Sequence, residues 1–107
     1  MAYTVKLTAK AEQDVDDILC WFQRASATAA GQRWFIQLFA KISTLEQHPL
    51  RCPLAQEAAD VDIEIRELLF GKKQGTYRIL FEVRGSTVYI LHIRHSARDA
   101  VTPDDLR

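Results

Sequence analysis

Tyr3, Val5 and Leu7 alternate with Thr4 and Lys6, the two-residue period of a half-buried strand. From Thr8 the period lengthens. Ala11, Val15, Ile18, Leu19 and Phe22 recur at helical spacing, which lines up one apolar stripe along a helix. Thr8 is placed to cap that helix, and Glu12, Asp14, Asp16 and Asp17 put negative charge in its early turns, near the positive end of the helix dipole. The stripe lapses near Ala25 to Ala27. Phe35, Leu38, Phe39, Ile42 and Leu45 then share one face of a second helix, from about Thr28 to Gln47, which His48-Pro49 stops. Two helices joined by a few small residues form an antiparallel hairpin.

The stretch from Pro49 to Asp60 has two prolines and no clean period, so an irregular loop is expected there. Alternation returns with Val61, Ile63 and Ile65 against Asp62, Glu64 and Arg66, and Leu68, Leu69 and Phe70 lead into Gly71 and the basic turn Lys72-Lys73-Gln74-Gly75. Tyr77 to Arg84 and Thr87 to Arg94 are β-rich runs around Gly85-Ser86, which suits a two-residue hairpin turn with glycine first. The order predicts one α+β domain over residues 1–107: an N-terminal strand, an antiparallel helical hairpin, then a three-stranded antiparallel meander. The helices should pack on one face of a small, largely antiparallel sheet.

An uninterrupted ladder on either side of Gly85-Ser86 assigns every cross-strand pair. Tyr77, Ile79, Phe81, Val83, Val88 and Ile90 then share the face that takes the helices, with His92 and Arg94 at its far end. Arg78, Leu80, Glu82, Arg84, Thr87, Tyr89, Leu91, Ile93 and His95 share the other face. That mixture of polar and apolar groups suits a binding surface. In this register Arg78 falls opposite Ile93, and His95 becomes its diagonal neighbour. A guanidinium beside an imidazole suits phosphate chemistry, because the first holds two phosphate oxygens and the second exchanges a proton near neutral pH. Arg98 would add a second positive group, with Lys72 and Lys73 at the rim. The competing reading of the same spacing pairs Arg78 with Glu82 and leaves His95 an ordinary strand-end residue.

Composition changes this picture only in places. A chain of 107 residues with 48% hydrophobic and 26% charged residues is ordinary for a globular protein, which excludes disordered and fibrous classes. No apolar run is long enough to span a membrane, and the N-terminus lacks the charged-then-apolar build of a secretion signal, so a cytoplasmic protein is expected. Cys20 and Cys52 have no Cys or His at ligand spacing, so they read as reduced thiols, with no metal and no cofactor expected. The formal net charge of zero argues against strong non-specific nucleic-acid binding. Its distribution is uneven: between Arg66 and Arg98 lie seven basic residues and two acidic ones.

Several segments, taken in order, resemble the RelE/ParE toxin superfamily. They are the Thr-Ala-Lys-Ala-Glu-Gln-Asp helix start, Leu45-Glu46-Gln47-His48-Pro49, Ile65-Arg66-Glu67-Leu68, Tyr77-Arg78-Ile79-Leu80-Phe81, and His95-Ser96-Ala97-Arg98-Asp99. The resemblance covers nearly the whole chain. It implies a toxin of a type II toxin–antitoxin system of the plasmid-stabilisation kind, which inhibits growth when free and is neutralised by a cognate antitoxin that adds helix or strand to it. It also implies one of two targets. The ParE branch inhibits DNA gyrase. The RelE branch is an mRNA interferase, a metal-independent endoribonuclease acting on ribosome-bound mRNA, where the ribose hydroxyl attacks the adjacent phosphate with help from a base, an acid and positive charge.

By position in the motif, Arg78 matches the middle-strand arginine of the ribonucleases and Arg98 approximately matches the arginine after their last strand. Arg66 and Lys72 match more loosely. The chain ends Thr102-Pro103-Asp104-Asp105-Leu106-Arg107, with no Tyr or His where the ribonucleases keep their acid, and His95 is the substitute available. The catalytic set of a nuclease would therefore be Arg78, His95 and Arg98. Arg66, Lys72, Lys73, Leu80, Tyr89 and Leu91 would form a binding surface. Net neutrality and the Ser-Ala-Arg-Asp ending favour the gyrase branch. A further alternative is a non-toxic module that keeps only antitoxin contact, for which Leu80 and Leu91 matter and Arg78 does not. A second copy of the chain is another candidate partner.

Overall fold

The computed structural model describes residues 2–71 and 77–95. Strand β1 (Thr4–Leu7) leads into helix α1 (Ala9–Arg24), and helix α2 (Thr28–Ser43) follows. Three short 3₁₀ turns (Thr44–Glu46, Pro49–Arg51 and Gln56–Asp60) carry the chain to β2 (Arg66–Phe70), β3 (Tyr77–Arg84) and β4 (Thr87–His95). The architecture is the expected α+β one. The meander β2-β3-β4 is antiparallel, and β1 closes the sheet by pairing parallel with β4, giving the order β1-β4-β3-β2. Among the described residues no helix is long and apolar enough to cross a membrane.

Local chemistry explains the elements. Thr8 caps α1, its hydroxyl accepting the Ala11 N–H. The helix is closed by Ser26, whose left-handed backbone (φ 56°) lets the Ala27 N–H reach back to the Phe22 carbonyl. The hairpin it creates is tight: a Cβ on Gly31 would lie 2.9 Å from the Phe22 Cβ, so only glycine allows this approach of α2 to α1. Gly85, at φ 58°, opens the two-residue turn between β3 and β4 as expected.

One face of the sheet takes the helices. Ile79, Phe81, Val88, Ile90 and Ile93 pack there against Ala11, Val15, Leu38 and Ile42, and Trp34, Phe70 and Tyr77 form an aromatic group at one side. Phe81, Leu38 and Ile90 are wholly excluded from solvent. Cys20 is exposed and Cys52 buried, and both are free thiols.

Two expectations are corrected. The strand read from Val61 begins at Arg66; Val61 and Ile63 instead turn their side chains onto a small second cluster with Ala55, Ile65, Leu80 and Leu91 on the other face of the sheet. The hairpin ladder is also interrupted. It runs as expected from Arg84↔Thr87 to Phe81↔Ile90, then slips by one residue at Leu91, so that Leu80 pairs with His92, Arg78 with Arg94 and Tyr77 with His95.

The slip has its cause at the sheet edge. β1 ends opposite Ile90, which would leave the next backbone groups of β4 bare at the sheet edge. The start of α1 covers them. Thr8 Oγ1 donates to the Ile90 carbonyl at 2.9 Å and lies 3.3 Å from that of Leu91, while Asp14 Oδ2 accepts the Ile93 N–H at 3.0 Å and sits 3.0 Å from His92 Nδ1. Asp14 and His92 are both buried. A bulge that kinks β4 toward these partners satisfies groups that a straight strand would leave unpaired.

Candidate functional site

Arg78 lies on the face of β3 away from the helices, where all three guanidinium nitrogens meet carboxylates. Nη1 donates to Glu57 Oε2 at 2.6 Å and Nη2 to Glu57 Oε1 at 2.5 Å, a two-pronged pair. Nε donates to Glu67 Oε1 at 2.5 Å. Glu67 stands on β2 diagonally across from Arg78, and Glu57 is delivered by the 3₁₀ turn Gln56–Asp60. The three side chains are 15%, 11% and 24% exposed for Arg78, Glu57 and Glu67, so water screens them weakly. The hydrogen bond from Arg78 holds the Glu57 carboxyl below the usual carboxylate range, and the same contact pushes the guanidinium pKa still higher. Both Arg78 and Glu57 are thereby held in their ionised forms at neutral pH.

His95 is on the other side of the sheet. The slip at Leu91 pairs it with Tyr77, and the two rings meet edge-on with centroids 5.2 Å apart. It lines a cleft of about 350 Å³ against α1, with Asp17, Ile18, Trp21, Arg24, Tyr77 and Arg94. The expected diagonal contact between Arg78 and His95 is therefore absent, because the extra residue in β4 sets His95 opposite Tyr77, whose ring belongs to the core side, and Arg94 opposite Arg78. The competing pairing of Arg78 with Glu82 is not formed either. Glu82 accepts from Arg84 Nε at 2.8 Å, and the Arg84 guanidinium lies 5.3 Å from the centre of the Tyr89 ring.

The other candidate residues divide in the same way. Leu80 is fully buried beneath the segment Ala55–Ile63, and half-buried Leu91 packs against the same cluster, so Leu80 presents no surface to a partner in this conformation. Arg66 is committed to its own loop: Nη1 donates to the Cys52 carbonyl at 2.7 Å and Nη2 pairs with Glu64 at 3.1 Å. Tyr89 remains partly exposed beside Arg84. Lys72, Lys73 and Arg98 lie outside the described residues.

A nuclease acting on one phosphodiester needs its acid or base and its cation within reach of the same phosphate. Here the sheet stands between His95 and Arg78. The residues that define the back face, Glu57 and Glu67, were not among those singled out from sequence. Glu67 carried a usable signal, since it sits within the Ile65-Arg66-Glu67-Leu68 run. Glu57 carried none, because its loop has no period.

A family model described as the ParE toxin of the type II toxin–antitoxin system parDE matches residues 5–100. The chain belongs to the ParE toxin family. Among solved structures, a chain of one described as the "Chromosomal ParDE TA system from P. aeruginosa" is similar in fold, with a TM-score of 0.70 over 88% of this chain and 96% of that one, at 20% sequence identity. A comparison with curated proteins finds no match. Membership of the ParE toxin family places the molecule among type II toxins, and the separation of Arg78 from His95 is therefore a feature of a ParE-type chain.

Proposed function

We propose that this toxin halts growth by binding DNA gyrase, and that a cognate antitoxin neutralises it. One observation carries the choice of target: the guanidinium of Arg78 is occupied by Glu57 and Glu67 on one face of the sheet while His95 lies on the other. A surface that holds its own arginine in carboxylates is poorly suited to gripping an RNA phosphate, and net neutrality of the chain points the same way. Inhibition by occupancy of a protein target asks for no such constellation.

The test is induction of the chain in a bacterial host without its antitoxin, reading plasmid supercoiling and transcript integrity together. Growth arrest with altered supercoiling and intact transcripts is expected, and Arg78→Lys should leave the RNA pattern unchanged. Cleaved transcripts with normal supercoiling, lost in Arg78→Lys, would overturn the gyrase assignment in favour of an mRNA interferase. Normal growth under strong expression would select the non-toxic module instead.

A further inference from the structure

The segment Ala55–Ile63 crosses the back of the sheet as a strap. Beneath it lie Leu80 and Ile65, both without solvent exposure, and it contributes Ala55, Ala58, Val61 and Ile63 to cover them. Little regular structure holds it. Its one 3₁₀ turn spans five residues with no side-chain cap, and one end is tied by the Ala55 N–H to the Ile65 carbonyl. The strongest link from its middle to the sheet is the two-pronged pair of Glu57 with Arg78. A strap of small apolar contacts, with an ionic anchor at Glu57 and little regular structure, belongs to the low-stability end of a fold, from which opening motions are drawn.

We propose that this strap is displaceable and that the face it covers is a concealed docking site for an acidic, apolar peptide segment of a partner protein. The present occupant defines the chemistry that fits: a carboxylate for Arg78, then small and branched apolar side chains for Leu80, Ile65 and Leu91. A carboxylate suits the site better than a polynucleotide does. With Glu57 lifted away, Arg78 still faces Glu67, so the uncovered ion pair is neutral as a unit and exerts no general attraction on a polyanion. It still offers two directed donors to one incoming carboxylate, beside a dry apolar floor. The strap is thus an internal competitor, and a partner must win against a segment that is always nearby. This inference stands apart from the identity of the growth target.

The experiment uses the full chain, its Glu57→Gln variant and a labelled, end-capped peptide with the sequence of Ala55–Ile63. Gln at position 57 keeps the shape of the side chain and loses the charge that anchors it. Binding read by fluorescence anisotropy should be at least tenfold tighter to Glu57→Gln than to the unaltered chain. The gain should vanish when the peptide itself carries Gln in place of its Glu. In the unaltered chain, hydrogen exchange across the strap should be at least tenfold faster than across β3. Equal affinity of the peptide for both proteins would overturn the proposal, as would strap exchange as slow as that of β3, which can be read even if the variant fails to fold. A single-stranded oligoribonucleotide binding Glu57→Gln more tightly than the peptide does would overturn the assignment of the ligand.

Discussion

The two faces of the sheet are held by different forces. On the helix side, Phe81, Ile79, Ile90 and Ile93 meet two helices in a continuous apolar core, and its main polar insertion, Asp14 with His92, is hydrogen-bonded to the backbone of β4. On the back, a cluster built on Ala55, Ile65 and Leu80 is sealed by a strap whose anchor is one arginine between two glutamates. Apolar burial is non-directional and indifferent to pH, whereas the ionic anchor depends on charge state and on all three partners being present. One sheet therefore has a permanent side and a conditional side.

The largest effect should come from breaking the permanent side. Phe81→Ala removes a fully buried ring from the core and should cost about 4 kcal/mol in urea unfolding, with one transition that carries both faces. Arg78→Ala strikes the conditional side. It leaves Glu57 and Glu67 facing each other without a cation and should cost about 3 kcal/mol, with the added loss concentrated in exchange protection of residues 55–63. A uniform loss of protection over the helices as well would remove the distinction between the faces.

Acid should give the smallest effect and the sharpest one. Glu57 has a folded pKa below its ordinary value of 4.5, so its contribution is fully present above that value and is lost as pH falls through the lower, folded one. Stability measured from neutral pH downward should therefore decline below about pH 4.5, and the decline should be shallower in Glu57→Gln. Identical pH profiles for the two proteins would show that the anchor contributes nothing.

What the sequence disclosed follows the same division. The helix stripes, the Thr8 cap and the Gly85-Ser86 turn are short-range patterns, and each appears where it was expected. The slip at Leu91 is not short-range. Its causes, Thr8 and Asp14, lie about eighty residues away in sequence, and no periodicity within β4 announces them. The strap escaped because residues 49–60 have no period. One sign of it was present nonetheless: Leu80 and Leu91 are apolar on a face that had no assigned cover, and a large buried leucine needs one.

The site was legible residue by residue and not as an arrangement. Arg78 was correctly placed on the surface away from the helices, while its partners and the position of His95 depended on contacts that only the folded chain supplies.

The extra residue in β4 acts as a parity switch. Every position before it keeps the facing that counting from the turn assigns, and beyond it Ile93 and His95 change sides, which is how Ile93 enters the core and His95 leaves the company of Arg78. A chain of the same letters in which this strand ran straight, without the bulge, would set Arg78 opposite Ile93 with His95 diagonally beside it, and so unite an arginine and a histidine that this one keeps apart. In this sheet, a one-residue shift of register in one strand can do more to the chemistry on offer than many substitutions elsewhere.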